Sequence, residues 1–295
     1  MLIRLARHSG YCFGVRRAIQ LALDAADHQV PVCTLGELIH NPQVVQELEA
    51  KGIFVINDAA GTEQSTVVLR SHGVSREELA ILEHGRNSII DATCPYVKRT
   101  HELIKKANDE GYPVLILGDP KHPEVIGLRS YGDERTQVYE PGSELPEIRG
   151  SRLCVISQTT QKIEYLRELV SKLLDVVMEL KVYNTICLAT SQRQLASECL
   201  AKDSDLMIVI GGKNSSNTKM LASLCGKYCP TVHIETEAEL SLDMFSGVAR
   251  IGLAAGASTP ESRIVAVYNK IRKINGDAVP VTGIASIPLF KEESC

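Results

Sequence analysis

The stretch from Cys12 to Pro42, CFGVRRAIQLALDAADHQVPVCTLGELIHNP, decides the fold because two later stretches repeat its layout. Cys94 opens CPYVKRTHELIKKANDEGYPVLILGDPKHPE, and Cys187 opens CLATSQRQLASECLAKDSDLMIVIGGKNSSN. In each, a glycine stands 24 residues after the cysteine, at Gly36, Gly118 and Gly211. A polar residue follows at offset 28: His40, His122 and Ser215. Shared spacing over this length marks an internal repeat. Between cysteine and glycine each segment reads as an amphipathic helix followed by a short Val/Ile/Leu run with strand character.

The second half of each repeat agrees in outline. NPQVVQELEAKG, HPEVIGLRSYG and NTKMLASLCGKY read as helices, and each leads to a β-like stretch: FVIND, QVYEP and VHIET. TVVLRSHGVSREEL, RLCVISQTTQKIEYL and RIGLAAGASTPESRI then each read as an apolar strand, a polar loop and a helix start. The expected fold is α/β: three similar α/β units with mostly parallel small sheets. The expected boundaries are residues 1–94 with Cys12, 95–186 with Cys94 at its start, 187–275 with Cys187 at its start, and a tail, 276–295. The tail, including VPVTGIASIPLF, either closes the third unit with a strand or returns to the first.

Composition removes several classes of function. The 295 residues carry 32 Lys plus Arg against 36 Asp plus Glu, a net charge of -4, with 4% aromatics. That balance lacks the basic excess and stacking rings of a nucleic-acid surface, so no nucleic-acid partner is expected. No apolar run approaches the roughly 18 residues a membrane-spanning helix needs, so no membrane role is expected. Arg4, Arg7 and His8 interrupt the region where a signal peptide needs an unbroken apolar stretch, which predicts a cytoplasmic location. Nine cysteines, an odd number, are too sparse for a disulfide scaffold in a reducing compartment.

Loops at the C-terminal ends of parallel strands share one face, so three such units around a pseudo-threefold axis bring Cys12, Cys94 and Cys187 together. Each also precedes a helix, whose N-terminal dipole favours a thiolate. A buried cytoplasmic cysteine is ordinarily a small hydrophobe; the matched offsets favour metal ligation here. The close Cys-x-x-Cys pairs of structural zinc sites are absent. Three widely spaced thiolates fit a [4Fe–4S] cluster with three Cys ligands and one open iron. Cys33, Cys154, Cys199, Cys225, Cys229 and Cys295 are read as packing or surface residues.

Two sets of loops flank these cysteines. One carries His40-Asn41-Pro42, His122-Pro123-Glu124 and Ser215-Ser216-Asn217; the other carries Ser71-His72-Gly73, Gln158-Thr159-Thr160 and Gly256-Ala257-Ser258-Thr259. Histidines, hydroxyls, amides and helix N-termini make a phosphate site without a Walker loop, and neither G-x-x-x-x-G-K-[ST] nor G-x-G-x-x-G occurs. Glu124, the single carboxylate in these loops, has two readings: a proton donor raised by burial, or a first-turn acid facing the helix dipole. Thr159 is either an N-cap or a contact to a substrate hydroxyl.

Taken together, CFGVRRAI, IHNPQVV, SHGVS, DATCP, HPEVIG, SQTT, ICLATSQRQ, GGKNSSNT and AAGASTPE resemble the 4-hydroxy-3-methylbut-2-enyl diphosphate reductases (IspH/LytB) of the non-mevalonate isoprenoid pathway. The resemblance implies three pseudo-threefold-related α/β units, trefoil-like, with mostly parallel small sheets around a central iron–sulfur cluster, one [4Fe–4S] cluster on Cys12, Cys94 and Cys187, and a diphosphate pocket of His40, His72, His122, Ser215, Ser216, Asn217 and Ser258. It further implies Glu124 as proton donor and Thr159 as the residue at the substrate's hydroxyl end. The implied reaction is reductive loss of the allylic hydroxyl as water, giving isopentenyl and dimethylallyl diphosphate. Electrons would come singly from ferredoxin or flavodoxin, with no nicotinamide or flavin bound by the chain. Lys121 departs from the pattern, standing where a small or neutral residue is common. Two rivals remain: a redox-independent hydro-lyase and a non-catalytic iron–sulfur sensor or scaffold.

Overall fold

A computed structural model describes residues 1–27, 31–148, 150–276 and 281–290. In chain order the elements are β1 (Leu2–Leu5), α1 (Phe13–Ala26), β2 (Val32–Leu35), α2 (Pro42–Glu49), β3 (Ile53–Ile56), β4 (Thr66–Leu69), α3 (Arg76–His84) and β5 (Ser88–Asp91). Next come α4 (Pro95–Asp109), β6 (Val114–Leu117), α5 (Pro123–Ser130), β7 (Gln137–Tyr139), β8 (Arg152–Ser157), α6 (Ile163–Leu173) and β9 (Glu179–Tyr183). The last elements are α7 (Leu188–Lys202), β10 (Leu206–Ile210), α8 (Ser216–Cys225), β11 (Thr231–Ile234), β12 (Arg250–Ala255) and α9 (Glu261–Ile274). No described helix is long and apolar enough to cross a membrane.

The chain divides into two compact units, one of Gly14–Ile39 and Val45–Cys187, the other of Met1–Phe13, His40–Val44 and the chain from Leu188 onward. The first holds two four-stranded sheets, ordered β3-β2-β4-β5 and β7-β6-β8-β9. The second holds one, ordered β11-β10-β12-β1. Every neighbouring pair is parallel. All three sheets therefore share one order, and three small parallel sheets alternating with helices are the α/β class expected from the repeat.

Strand composition follows from burial. β6 reads VLIL and β10 LMIVI, every residue buried, because a parallel sheet covered on both faces needs apolar side chains pointing both ways. Helix α4 places Val97, Thr100, His101, Ile104 and Ala107 on its buried side, and Ile104 packs with Ile116, Leu128 and Ile156, all fully buried. The glycine of the repeat has a steric cause. Gly36, Gly118 and Gly211 each donate their N–H to the end of the neighbouring strand, at Ile56, Tyr139 and Ile234. A Cβ would lie 2.7 Å from Val125 Cγ2 at Gly118 and 2.6 Å from Thr259 Oγ1 at Gly211, while Gly36, which meets only the movable end of Arg70, takes a φ of +70° that disfavours other residues.

The sequence reading needs one correction. The strand in the fourth place of the third sheet is β1, from the start of the chain, so Leu2–Leu5, counted by sequence with the first unit, pairs beside β12. The tail supplies no sheet strand among its described residues. Leu289 forms one parallel bridge with Leu5, and Leu5 is bonded by Pro288 and Phe290. Residues 277–280 and 291–295 of the tail, Cys295 included, lie outside the described residues.

Leu5, 1% exposed in the core of that sheet, tests this topology. Leu5→Ala should cost about 2–5 kcal/mol in urea unfolding. In hydrogen exchange it should lower amide protection in Arg250–Ala255 well before Arg152–Ser157; equal loss in both would contradict the placement of β1.

Candidate active site

Each cysteine of the repeat stands immediately before a helix: Cys12 before α1, Cys94 before α4 and Cys187 before α7. All three are half-buried. Their backbone N–H groups donate to equivalent carbonyls, each two residues beyond the third strand of its own sheet: Cys12 to Ala257 (3.1 Å), Cys94 to Ser71 (3.0 Å) and Cys187 to Thr159 (3.0 Å). Each bond ties the start of a helix to the loop after a strand of the same sheet. Of the other described cysteines, Cys33, Cys154, Cys225 and Cys229 carry free thiols and are packing residues, whereas Cys199, read from sequence as one of them, is disulfide-bonded. Cys154 lies in β8 with its thiol pushed up to about 12 by burial, and burial also raises Cys33 and Cys229. Cys199 and Cys225 are buried in α7 and α8.

The unit containing Cys94 and Cys187 assembles a chain of titratable and hydroxyl groups. His122 caps α5, its Nδ1 accepting the Glu124 N–H at 3.1 Å. This leaves the proton of the neutral ring on Nε2, a donor. The His72 ring meets the His122 ring edge-on, centroids 5.5 Å apart. Glu124, 1% exposed, accepts the Thr159 N–H on Oε1 at 2.6 Å and the Thr159 hydroxyl on Oε2 at 2.9 Å. Burial drives its carboxyl up from the ordinary 4.5 to about 7, and the two Thr159 hydrogen bonds, which favour the ionised form, only partly offset that. Helix α6 starts at Ile163 with Lys162 in the capping position, so Thr159 is not its N-cap. The alternative left for that residue is a contact inside the site.

The other unit gathers Cys12, His40, Ser215, Ser216, Asn217 and Ser258. The Ser258 hydroxyl donates to the His40 carbonyl at 3.1 Å, and Asn41 Nδ2 donates to the Ser258 carbonyl at 2.9 Å. Ser215 caps α8, accepting the Thr218 N–H at 3.4 Å. Asn217 is 4% exposed, and neither polar atom of its amide has a hydrogen-bond partner among the described residues. Buried polar groups are normally satisfied, so an unclaimed amide beside a helix N-terminus is what an anion site offers before its ligand binds.

The equal offset at His40 does not carry into structure. The residue before Pro42 is Asn41, whose Oδ1 accepts the N–H groups of Gln43 and Val44 and so occupies the capping place of His122 and Ser215. The loop from Gly36 is one residue longer than its counterparts. Setting NPQVVQELEAKG beside HPEVIGLRSYG pairs Asn41 with His122 and Gln43 with Glu124, whereas the offset of 28 falls on His40.

The chain is similar to known proteins along nearly its whole length. Residues 3–272 match the family described as LytB protein. A protein of Geobacter sulfurreducens named 4-hydroxy-3-methylbut-2-enyl diphosphate reductase is 44% identical over 279 residues, 93% of this chain and 98% of its own length. One of the same name from Trichlorobacter lovleyi is 43% identical over 93% of this chain and 99% of its own. A solved structure of (E)-4-hydroxy-3-methyl-but-2-enyl diphosphate reductase, described as the terminal enzyme of the non-mevalonate pathway, is 41% identical with a TM-score of 0.68, covering 92% of this chain and 100% of that one. The Plasmodium falciparum E-1-hydroxy-2-methyl-but-2-enyl-4-diphosphate reductase is 26% identical with a TM-score of 0.85, covering 98% and 91%. With the cysteine repeat, the parallel sheets and a family match along nearly the whole length, the chain belongs to the LytB protein family.

Proposed function

We propose that this chain is a 4-hydroxy-3-methylbut-2-enyl diphosphate reductase: two electrons and two protons remove the allylic hydroxyl as water and leave isopentenyl or dimethylallyl diphosphate. The observation that carries the reading is Glu124, a fully buried carboxyl held on two sides by Thr159 and poised near neutral pH. A carboxyl with such a pKa keeps a transferable proton under physiological conditions. A first-turn acid serving only the helix dipole has no need of burial.

Cys12, Cys94 and Cys187 are proposed to hold one [4Fe–4S] cluster, a role that fits their matched backbone bonds and their positions at three helix starts. When bound, such a cluster supplies electrons singly and, at the iron without a cysteine, Lewis acidity toward a hydroxyl oxygen. The remaining chemistry belongs to side chains. His40, His72, His122, Ser215, Ser216, Asn217 and Ser258 would bind the diphosphate, with the α8 N-terminus and the Asn217 amide sharing its charge. His122 would act through its Nε2–H. Glu124 would give its proton to the departing oxygen, while Thr159 fixes the carboxyl by its O–H and N–H. The electron donor would be a ferredoxin or flavodoxin in the cytoplasm.

Three outcomes test this. Glu124→Gln should lower kcat by about 100-fold or more with the cluster retained; full activity would favour a sensor or scaffold, and turnover without any reductant would favour a hydro-lyase. Cys12→Ser, Cys94→Ser and Cys187→Ser should each lose iron and sulfide in anaerobic protein, whereas Cys33→Ser and Cys225→Ser should keep both.

Glu124 also sets a pH signature. Because its folded pKa, about 7, lies above the ordinary 4.5, its contribution to stability is full below pH 4.5 and declines as pH rises through 7. Relative to wild type, Glu124→Gln should therefore gain up to about 3 kcal/mol of stability across that window, read by urea unfolding at several pH values. A difference that does not vary with pH would show that folding leaves the Glu124 pKa unshifted.

A further inference from the structure

Two arginines in the helices that follow the cysteines have no part in the reaction above. Arg17 lies in the second turn of α1 and Arg193 in the second turn of α7. Cations near a helix start oppose the dipole, and neither helix has an acidic residue in its first turn to offset them. Their bonds supply another reason. Arg17 Nη1 donates to the Thr93 carbonyl at 3.3 Å and Nη2 to the Asp91 carbonyl at 3.2 Å. Thr93 directly precedes Cys94. Arg193 is 2% exposed; its Nη2 donates to the Gly10 carbonyl at 2.8 Å and its Nη1 to the Ala189 carbonyl of its own helix at 3.4 Å. Gly10 lies two residues before Cys12.

The two sites are the same device. A guanidinium one turn into a helix spans two carbonyls, and at least one of them belongs to the loop that enters a cysteine. The planar fork suits this task, since it holds two acceptors at fixed separation where an ammonium offers a point charge. The loop entering Cys187 is secured differently: Thr185 Oγ1 accepts the Ser157 N–H at 2.9 Å and donates to the Ser157 carbonyl. Arg99 in α4, the counterpart of Arg17, is exposed and makes no ion pair among the described residues.

We propose that Arg17 and Arg193 are positioning residues that fix the loops entering Cys94 and Cys12, so that both thiolates are set in place before a cluster is bound. The proposal rests on the reading that these cysteines are cluster ligands. Supporting groups around metal ligands typically change metal affinity by about 10–100-fold when removed, which sets the expected size of the effect.

The test compares wild type with Arg17→Met, Arg193→Met and Arg99→Met, the milder Arg17→Lys and Arg193→Lys being carried in case a methionine variant fails to fold. After anaerobic reconstitution, cluster loss to a chelator should be about 10-fold or more faster in Arg17→Met and Arg193→Met, intermediate in the lysine variants and near wild type in Arg99→Met. In metal-free protein, alkylation followed by peptide mass spectrometry should be faster at Cys94 in Arg17→Met and at Cys12 in Arg193→Met, with Cys187 unchanged in both. Folded variants that keep the cluster as long as wild type, or alkylation that rises equally at all three cysteines, would overturn the proposal. Wild-type protein that takes up no cluster would instead overturn the reading on which it rests.

Discussion

The backbone hydrogen bond from each cysteine N–H to the loop after its sheet's third strand is the constraint on which the site depends. It occurs three times with nearly one length, at Cys12, Cys94 and Cys187. A peptide N–H buried at a loop must find an acceptor, and these three find the same one. Each bond ties the chain leaving the fourth strand of a sheet to the chain leaving the third, just before a helix begins. The cysteine thus stands at a joint between a sheet and the helix that follows, and its backbone position is inherited from sheet register.

That joint also explains which parts of the fold were legible in sequence. Glycines at offset 24 could be found because packed side chains leave no space for a Cβ at Gly118 and Gly211 and Gly36 takes a φ of +70°, so the requirement is written as residue identity. The alternation of helix and strand was legible for a similar reason: full burial of short parallel strands demands runs such as VLIL and LMIVI. The address of β1 was not. Four residues, LIRL, state only that they form a strand, and nothing local says that they pair with β12 nearly 250 residues away. A repeat counted from Cys12 necessarily assigns the preceding residues to the first unit, although they close the third sheet.

The candidate site divides along the same line. The types of residue in its loops were readable, but not their states. His40 fell at the matching offset while Asn41 occupies the structural place, because one extra residue in a loop is invisible to counting. Thr159 looked equally like a helix cap until α6 proved to begin at Ile163. The position of Glu124 allowed two roles because a sequence does not show how deeply a first-turn side chain is buried, and burial is what moves its carboxyl toward 7.

The second helical residue after each polar loop shows how the repeats have diverged in chemistry on a common backbone. That position holds Gln43, Glu124 and Asn217. A diphosphate site tolerates carboxylates poorly, since each ionised one opposes the ligand's charge at close range. Two of the three positions are amides, which can donate to an anion and cannot titrate. The third is an acid whose charge is suppressed by burial and whose oxygens are already engaged by Thr159. Under the proposed function, an acid that is neutral below its raised pKa would serve as a proton source without opposing an anionic ligand. The same burial that costs the ionised form is what makes the carboxyl compatible with its neighbours.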